Sequence, residues 1–312
     1  MKKLIIRRLL IGLLIMVVAS LLSFTVLYVA PGNPAESILR ERTGADPSYQ
    51  DISLFMSNNN LDGNLFSKIA QWLVMAFRFD FGESLYTGEP VMAEFIRRLW
   101  ATLQLTLISM GISTPLAIII GVAAAAKKNK IFDHVSRILS LIGLSIPDFW
   151  LGLFLMIIFS RTLKWLPAFG YGSAANYIMP IITLCVAQIA SLTRIVRATM
   201  LEKLSEDYII TARGNGLKKK MILMKFAFRN SLGPIVTYLG ASFGHLLAGA
   251  VVVETVFSWP GVGAFLVDAV YSRDYPVIQG FVMIIALFYV VINLVTDILY
   301  VYIDPRIRFE KG

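Results

Sequence analysis

Charged residues along the chain are separated by long apolar runs. Leu9 to Ala30, Leu99 to Ala126, Trp165 to Thr193 and Asn230 to Val253 contain no Asp, Glu, Lys or Arg. Ile138 to Ser160 contains only Asp148, and Tyr275 to Ile303 only Asp297. Each run exceeds the roughly 20 apolar residues needed to cross a hydrocarbon core of about 30 Å. The pattern predicts an all-α polytopic membrane protein with about six transmembrane helices and a single transmembrane domain over 1–312. The first run is longer than the core of a cleaved signal, about 7–15 residues, so it is read as a retained helix.

The segments between the runs predict smaller elements. Pro31-Gly32-Asn33-Pro34 breaks the chain after helix one and opens a long outer loop, 31–98. Near its end Ile69, Trp72, Leu73, Met75, Ala76 and Phe77 make an apolar stripe of near-helical spacing. This predicts an amphipathic helix that either lies at the outer interface or packs as a lid on the bundle. The short segments Lys127–Arg137 and Arg161–Asn176 make helices two, three and four successive hairpins. Pro115 and Pro147 fall inside helices two and three, as structural kinks or as marks of a pathway. Trp259-Pro260-Gly261-Val262-Gly263, followed by Ala264–Ala269, predicts a short re-entrant or interfacial helix with Phe265, Leu266 and Val270 as its apolar face.

The inner loop between helices four and five carries two stripes. Leu201, Leu204, Tyr208 and Ala212 form the first, and Leu217, Met221, Met224 and Phe228 the second, with Gly214-Asn215-Gly216 between them. They predict two short amphipathic helices meeting at a glycine elbow. Periodicity alone leaves two readings open. The helices lie on the membrane, or they present apolar anchors with a charged rim to a partner's groove.

Composition agrees with the spans: 57% of the 312 residues are hydrophobic and only 16% charged, too apolar for a soluble chain of this length. The net charge of +9 would suit nucleic acid, but its placement argues otherwise. With the N-terminus inside, 20 of the 29 Lys and Arg fall on inner segments, and the first outer loop alone holds nine acids. That asymmetry places both termini in the cytoplasm and leaves no nucleic-acid face; the basic groups meet lipid headgroups.

Chemistry is sparse. There is no phosphate-cradling G-x-x-x-x-G-K-[ST] loop, no His-x-x-x-His pair and no G-x-S-x-G turn, so neither ATPase nor protease activity is expected. The lone Cys185 is read as a small buried apolar residue. Ionisable side chains in lipid usually face a cavity or a partner, which singles out Asp148, His245 and Asp297. Asp297 lies close to Asp304, Arg306 and Arg308, which suits pairing at the inner interface. Asp148 follows Pro147 and suits polar groups freed by the kink. His245, flanked by Gly240, Gly244 and Gly249, is either a conduit wall or a hydrogen-bonding partner of a neighbouring helix. No metal site is expected, because one intramembrane histidine is too few ligands.

Glu206-Asp207-Tyr208-Ile209-Ile210-Thr211-Ala212-Arg213-Gly214-Asn215-Gly216-Leu217, followed by Phe228-Arg229-Asn230-Ser231-Leu232-Gly233-Pro234, resembles the coupling loop of bacterial ABC importer permeases, in particular the peptide/nickel family of the dipeptide-permease B or nickel-permease B type. Ile146-Pro147-Asp148-Phe149-Trp150, Trp165-Leu166-Pro167-Ala168, Glu254 to Gly261, Arg273 to Val277 and Asp304 to Arg308 support the resemblance, which covers nearly the whole chain.

The resemblance implies a type I importer fold and a multi-pass bacterial cell-membrane permease subunit that forms half of the translocation pathway. The implied cargo is peptides or nickel and metal–chelate complexes; the short segment Leu166–Asn176 is more similar to the nickel type. No cofactor is bound by the chain, since ATP belongs to partner subunits. The implied partners are a second homologous permease subunit in a heterodimer, two ABC ATPase subunits or domains, an extracytoplasmic substrate-binding protein, and membrane lipid. Residues 197–233 would be the coupling loop, with Glu206, Tyr208, Thr211, Ala212, Arg213 and Gly216 at the ATPase, and Pro147, Asp148 and His245 on the translocation path. Ile210-Thr211-Ala212 stands where many importers carry Glu-Ala-Ala, which shifts weight from a carboxylate to Gly216, Tyr208 and Arg213. A secondary transporter or channel is the alternative class.

Overall fold

The computed structural model describes residues 2–29, 33–59, 65–76 and 78–303. The side chains of His245 and Asp297, both singled out above, lie outside the described residues. The described residues form thirteen α-helices: α1 (Lys2–Val29), α2 (Pro34–Thr43), α3 (Tyr49–Asn58), α4 (Leu65–Ala76), α5 (Val91–Ala126), α6 (Ile131–Ser145), α7 (Asp148–Leu155), α8 (Ala174–Leu204), α9 (Asp207–Gly214), α10 (Lys219–Met221), α11 (Arg229–Phe257), α12 (Val262–Ser272) and α13 (Tyr275–Ile303). Among the described residues three helices are long and apolar enough to cross a membrane, and five when each of two bent helix pairs counts as one span. In α1 the described apolar stretch, Leu10–Thr25, is shorter than a full span, so three to five of the six expected spans are found among the described residues.

One bend departs from the sequence reading. The third run is not a kinked helix: α6 and α7 meet at 96°. Pro147 has no N–H to give, and its ring pushes the preceding Ile146 to φ −85°, ψ 120°, so α6 ends there and α7 restarts at Asp148. Pro115, Pro180 and Pro234, by contrast, lie inside continuous helices.

Two compact units are distinguishable. The first comprises Met1–Ala101 and Pro260–Val291. Residues 31–98, expected as an outer loop, fall in it, and their described part is more helical than its stripe suggested. Asn33 accepts from the Ala35 amide and starts α2 with Pro34 in its first turn; Gly44, at φ 69°, stops it. Ser48 and Asp51 form a capping box that starts α3. The expected amphipathic helix is α4. It packs as a lid: Trp72 and Ala76 are buried with Phe81, Phe95, Phe265 and Met283, and the Trp72 ring meets Phe24 of α1 edge-on at 5.4 Å. The expected short helix after the Trp259 turn is α12. Its inner face is Val262, Phe265 and Ala269, whereas Val270 is exposed, because a 3.6-residue period places 262, 265 and 269 on one stripe and 270 beside it.

The second unit comprises Thr102–Trp259 and Ile292–Gly312. Small residues let α5 and α8 approach. A Cβ on Gly121 would lie 2.7 Å from the Val196 Cβ and 2.9 Å from the Thr193 carbonyl oxygen. Ala117, Ala125, Leu192, Val196 and Met200 are buried around this crossing. Cys185 is buried on α8, as read, and its thiol donates to the Ser109 carbonyl of α5.

Candidate functional site

The inner-loop residues and the candidate path residues both lie in the second unit. The first stripe is not one helix. Helix α8 ends at Leu204, Ser205 and Glu206 turn the chain, and α9 starts at Asp207. The second stripe is not a separate helix either. Lys219–Met221 continues through a π-helical turn, Ile222–Phe228, straight into α11. No proline or glycine interrupts residues 217–232, so nothing stops the helix there.

The break at the elbow is a complete glycine stop. Gly216 has φ 73°, its amide donates to the Arg213 carbonyl at 2.9 Å, and the Leu217 amide donates to the Ala212 carbonyl at 3.2 Å. These two bonds close a Schellman motif, and Leu217 supplies its apolar contact against Ile209, Ala212 and Ile222.

This cluster decides which residues α9 presents. Ile209 is fully buried and Ala212 nearly so. Ala212 therefore seats α9 on the body of the unit instead of offering contact surface, because an eight-residue helix holds its place only through its inner face. Ile209, which the stripe missed, is the second inner anchor. The outward side carries Tyr208, Ile210, Thr211 and Arg213, with Ile210 at 63% exposure. Glu206 is paired with Lys203 at 3.2 Å, and the Tyr208 hydroxyl accepts from the Asn230 amide at 3.3 Å.

A second anchor escaped the sequence reading. Asp133, fully buried near the start of α6, takes a bidentate pair from Arg197 of α8, with Nη2 at 2.8 Å from Oδ2, and accepts from the Asn129 amide at 2.9 Å. Asp133 is the only acid in the basic segment 127–137. That oddity was the available signal. The pair locks α6 to α8 beside a cleft of about 520 Å³ into which Arg137, Arg194 and Tyr238 also open.

Of the path candidates, Pro147 and Asp148 stand at the break between α6 and α7. Asp148 does not cap the freed amides, and its carboxylate has no hydrogen-bond or ion-pair partner among the described residues. Its Oδ2 points to Gly249 of α11, 3.5 Å from where a Cβ would sit. Gly249 lies about one turn beyond His245 on the same helix, so the structure brings Asp148 to the helix that carries His245. A further acid, Glu254, is fully buried on α11 and accepts from the Thr102 hydroxyl at 2.5 Å. Nearby Trp259 is buried under Tyr171 and Tyr177, which meet it edge-on at 4.8 and 4.6 Å.

Long apolar helices, two of them in bent pairs, are the elements of a multi-pass membrane protein. The chain belongs to the family of binding-protein-dependent transport system inner membrane components, which matches residues 117–309. It is 39% identical over 293 residues to the glutathione transport system permease protein GsiC of Shigella flexneri serotype 5b (strain 8401), covering 94% of each chain. The same protein of Salmonella choleraesuis (strain SC-B67) is 39% identical over 295 residues, 95% of each. In fold the chain is similar to the inward-facing MetNI methionine ABC transporter, with a TM-score of 0.57 at 18% identity over 68% of this chain and 97% of that one. The chain is thus a multi-pass inner-membrane permease subunit of an ATP-driven ABC importer of the peptide/nickel family. It is not itself an ATPase, and it works with an ATPase and a substrate-binding protein.

Proposed function

We propose that residues 197–233 are the coupling loop and that α9 is the element that seats in the ATPase. The observation that carries this reading is the division of α9 into two faces. Ile209 and Ala212 anchor it inward, the Gly216 stop fixes its end, and Tyr208, Ile210, Thr211 and Arg213 stand outward. A short rigid helix held at both ends transmits a push to α8 and α11, the two helices it connects. Glu206 contributes by holding Lys203 at the start of the turn.

The rest of the reading follows from the same assignment. Both termini are cytoplasmic, 1–312 is one transmembrane permease domain, and 31–98 is an outer loop whose interfacial helix, α4, lies with its buried face as a lid on the first unit. A second homologous permease completes a heterodimer over two ATPase subunits or domains, and a binding protein delivers cargo from outside. Pro147, Asp148 and His245 border the path, because the unpartnered Asp148 carboxylate at a helix break matches the discontinuous helices that line transporter conduits. The cargo is a small peptide. The named relatives are glutathione permeases, so the peptide side of the expectation is preferred over nickel.

Tyr208→Ala tests the coupling assignment. Anchors of this kind cost about 2 kcal/mol on truncation, close to 30-fold in affinity. The variant should insert normally yet lose the ATPase on co-purification or hydrolyse ATP without uptake. Wild-type assembly together with wild-type coupling would remove α9 from the interface.

A further inference from the structure

We propose that a cleft beside α9 binds one anionic phospholipid, its phosphate held by Lys128, Lys219 and Arg213 and an acyl chain laid on the cleft's apolar floor. The cleft encloses about 670 Å³, and its floor includes Ala125, Ala126, Leu201, Leu204 and Leu223. Every ionisable group that lines it is basic: Lys128, Arg213 and Lys219. All three are exposed, and none has an ion-pair partner among the described residues.

Position matters as much as charge. Ala126 and Leu204 are the last residues of α5 and α8, two of the helices apolar enough to span the bilayer. Ala126 closes the charge-free run of α5, so that wall of the cleft borders the headgroup region, whereas α8 has already carried Arg194, Arg197, Glu202 and Lys203 beyond its apolar run before Leu204. An apolar floor beneath three unneutralised cations matches the profile of an anionic phospholipid. A soluble phosphate would use the cations and leave the floor bare. A zwitterionic lipid would cover the floor but gain little from the cations. Basic clusters at the end of a membrane helix attract anionic headgroups by this same electrostatics. The site shares Arg213 with the outward face of α9 and Leu217 with the turn that follows it, so an occupant would sit against the end of that helix. This goes beyond the coupling assignment and does not require it.

The experiment uses the assembled transporter in nanodiscs of phosphatidylglycerol or phosphatidylcholine, with retained lipid counted by native mass spectrometry. The wild type should retain phosphatidylglycerol selectively. Lys128→Gln with Lys219→Gln should weaken that retention about 30-fold, from the loss of two headgroup contacts. Ala126→Phe, which keeps every cation but fills the floor, should lower retention as well. A charge-matched control that does not line the cleft, Arg161→Gln with Lys164→Gln in the segment after α7, should behave as wild type. The proposal is overturned if the cleft variant matches the control. Displacement by inorganic phosphate with Ala126→Phe neutral would overturn it in favour of a free-anion site. Loss of the ATPase subunit with lipid retention intact would overturn it in favour of a protein partner.

Discussion

Replacing Gly216 with a graded series of residues isolates the backbone conformation on which α9 ends. Gly216 sits at φ 73°, and a Cβ there would meet nothing within 4 Å. The penalty for substitution is therefore torsional and not steric. An L-residue forced into the left-handed region costs about 1–2 kcal/mol, with β-branched side chains at the upper end and Asn well below it. Against this stand Ile209 and Ile222, buried to 0% and 4% exposure, each worth about 1.5–3 kcal/mol. The seat of α9 thus exceeds the strain, and the helix should stay docked while its end distorts. Relief of the strain would open the bonds from Gly216 to Arg213 and from Leu217 to Ala212, about 1 kcal/mol each. Coupling should then fall in the order Asn, Ala, Val at position 216, with membrane insertion constant. Substrate-stimulated ATP turnover in proteoliposomes, set against uptake, reads the order. Three indistinguishable variants, or an Asn variant as impaired as Val, would refute the conformational argument even if α9 is the contact.

Other consequences are more local. Asp133→Ala strands Arg197 and the Asn129 amide and should cost about 3 kcal/mol, in the range for breaking a buried pair; adding Arg197→Leu should recover part of it in thermal unfolding, and equal losses in single and double variants would show that the two do not act as a unit. Asp274→Ala removes the acceptor of the Ser84 hydroxyl and of the Leu85 and Tyr86 amides. Limited proteolysis should then cut residues 78–90 faster, and an unchanged rate would mean that other contacts hold this loop. Gly121→Ala should destabilise through contact with Val196 and the Thr193 backbone, whereas Gly111→Ala, with nothing within 4 Å, should be neutral or gain up to about 1 kcal/mol of helix propensity. Equal melting temperatures for the two variants would contradict the close α5–α8 crossing.

The amino-acid sequence by itself determined the membrane helices, because a run of twenty or more uncharged residues has few other places to go. It also placed the elbow at Gly216, the buried Cys185, and the short helices α4 and α12, since Gly, Pro and apolar spacing act over a few residues. Tertiary structure decided what depends on a neighbour. The apolar pattern left open whether Pro147 kinks a helix or ends it, and the folded chain has a 96° break there. Ala212 reads as an anchor for a partner along the stripe, yet the unit's own Ile222 covers it. Asp133 and Arg197 are 64 residues apart and read as two ordinary inner-loop charges until α6 and α8 are set side by side. Helical periodicity says which residues share a face. Only the packed chain says what that face meets, because burial belongs to pairs of segments and not to either one alone.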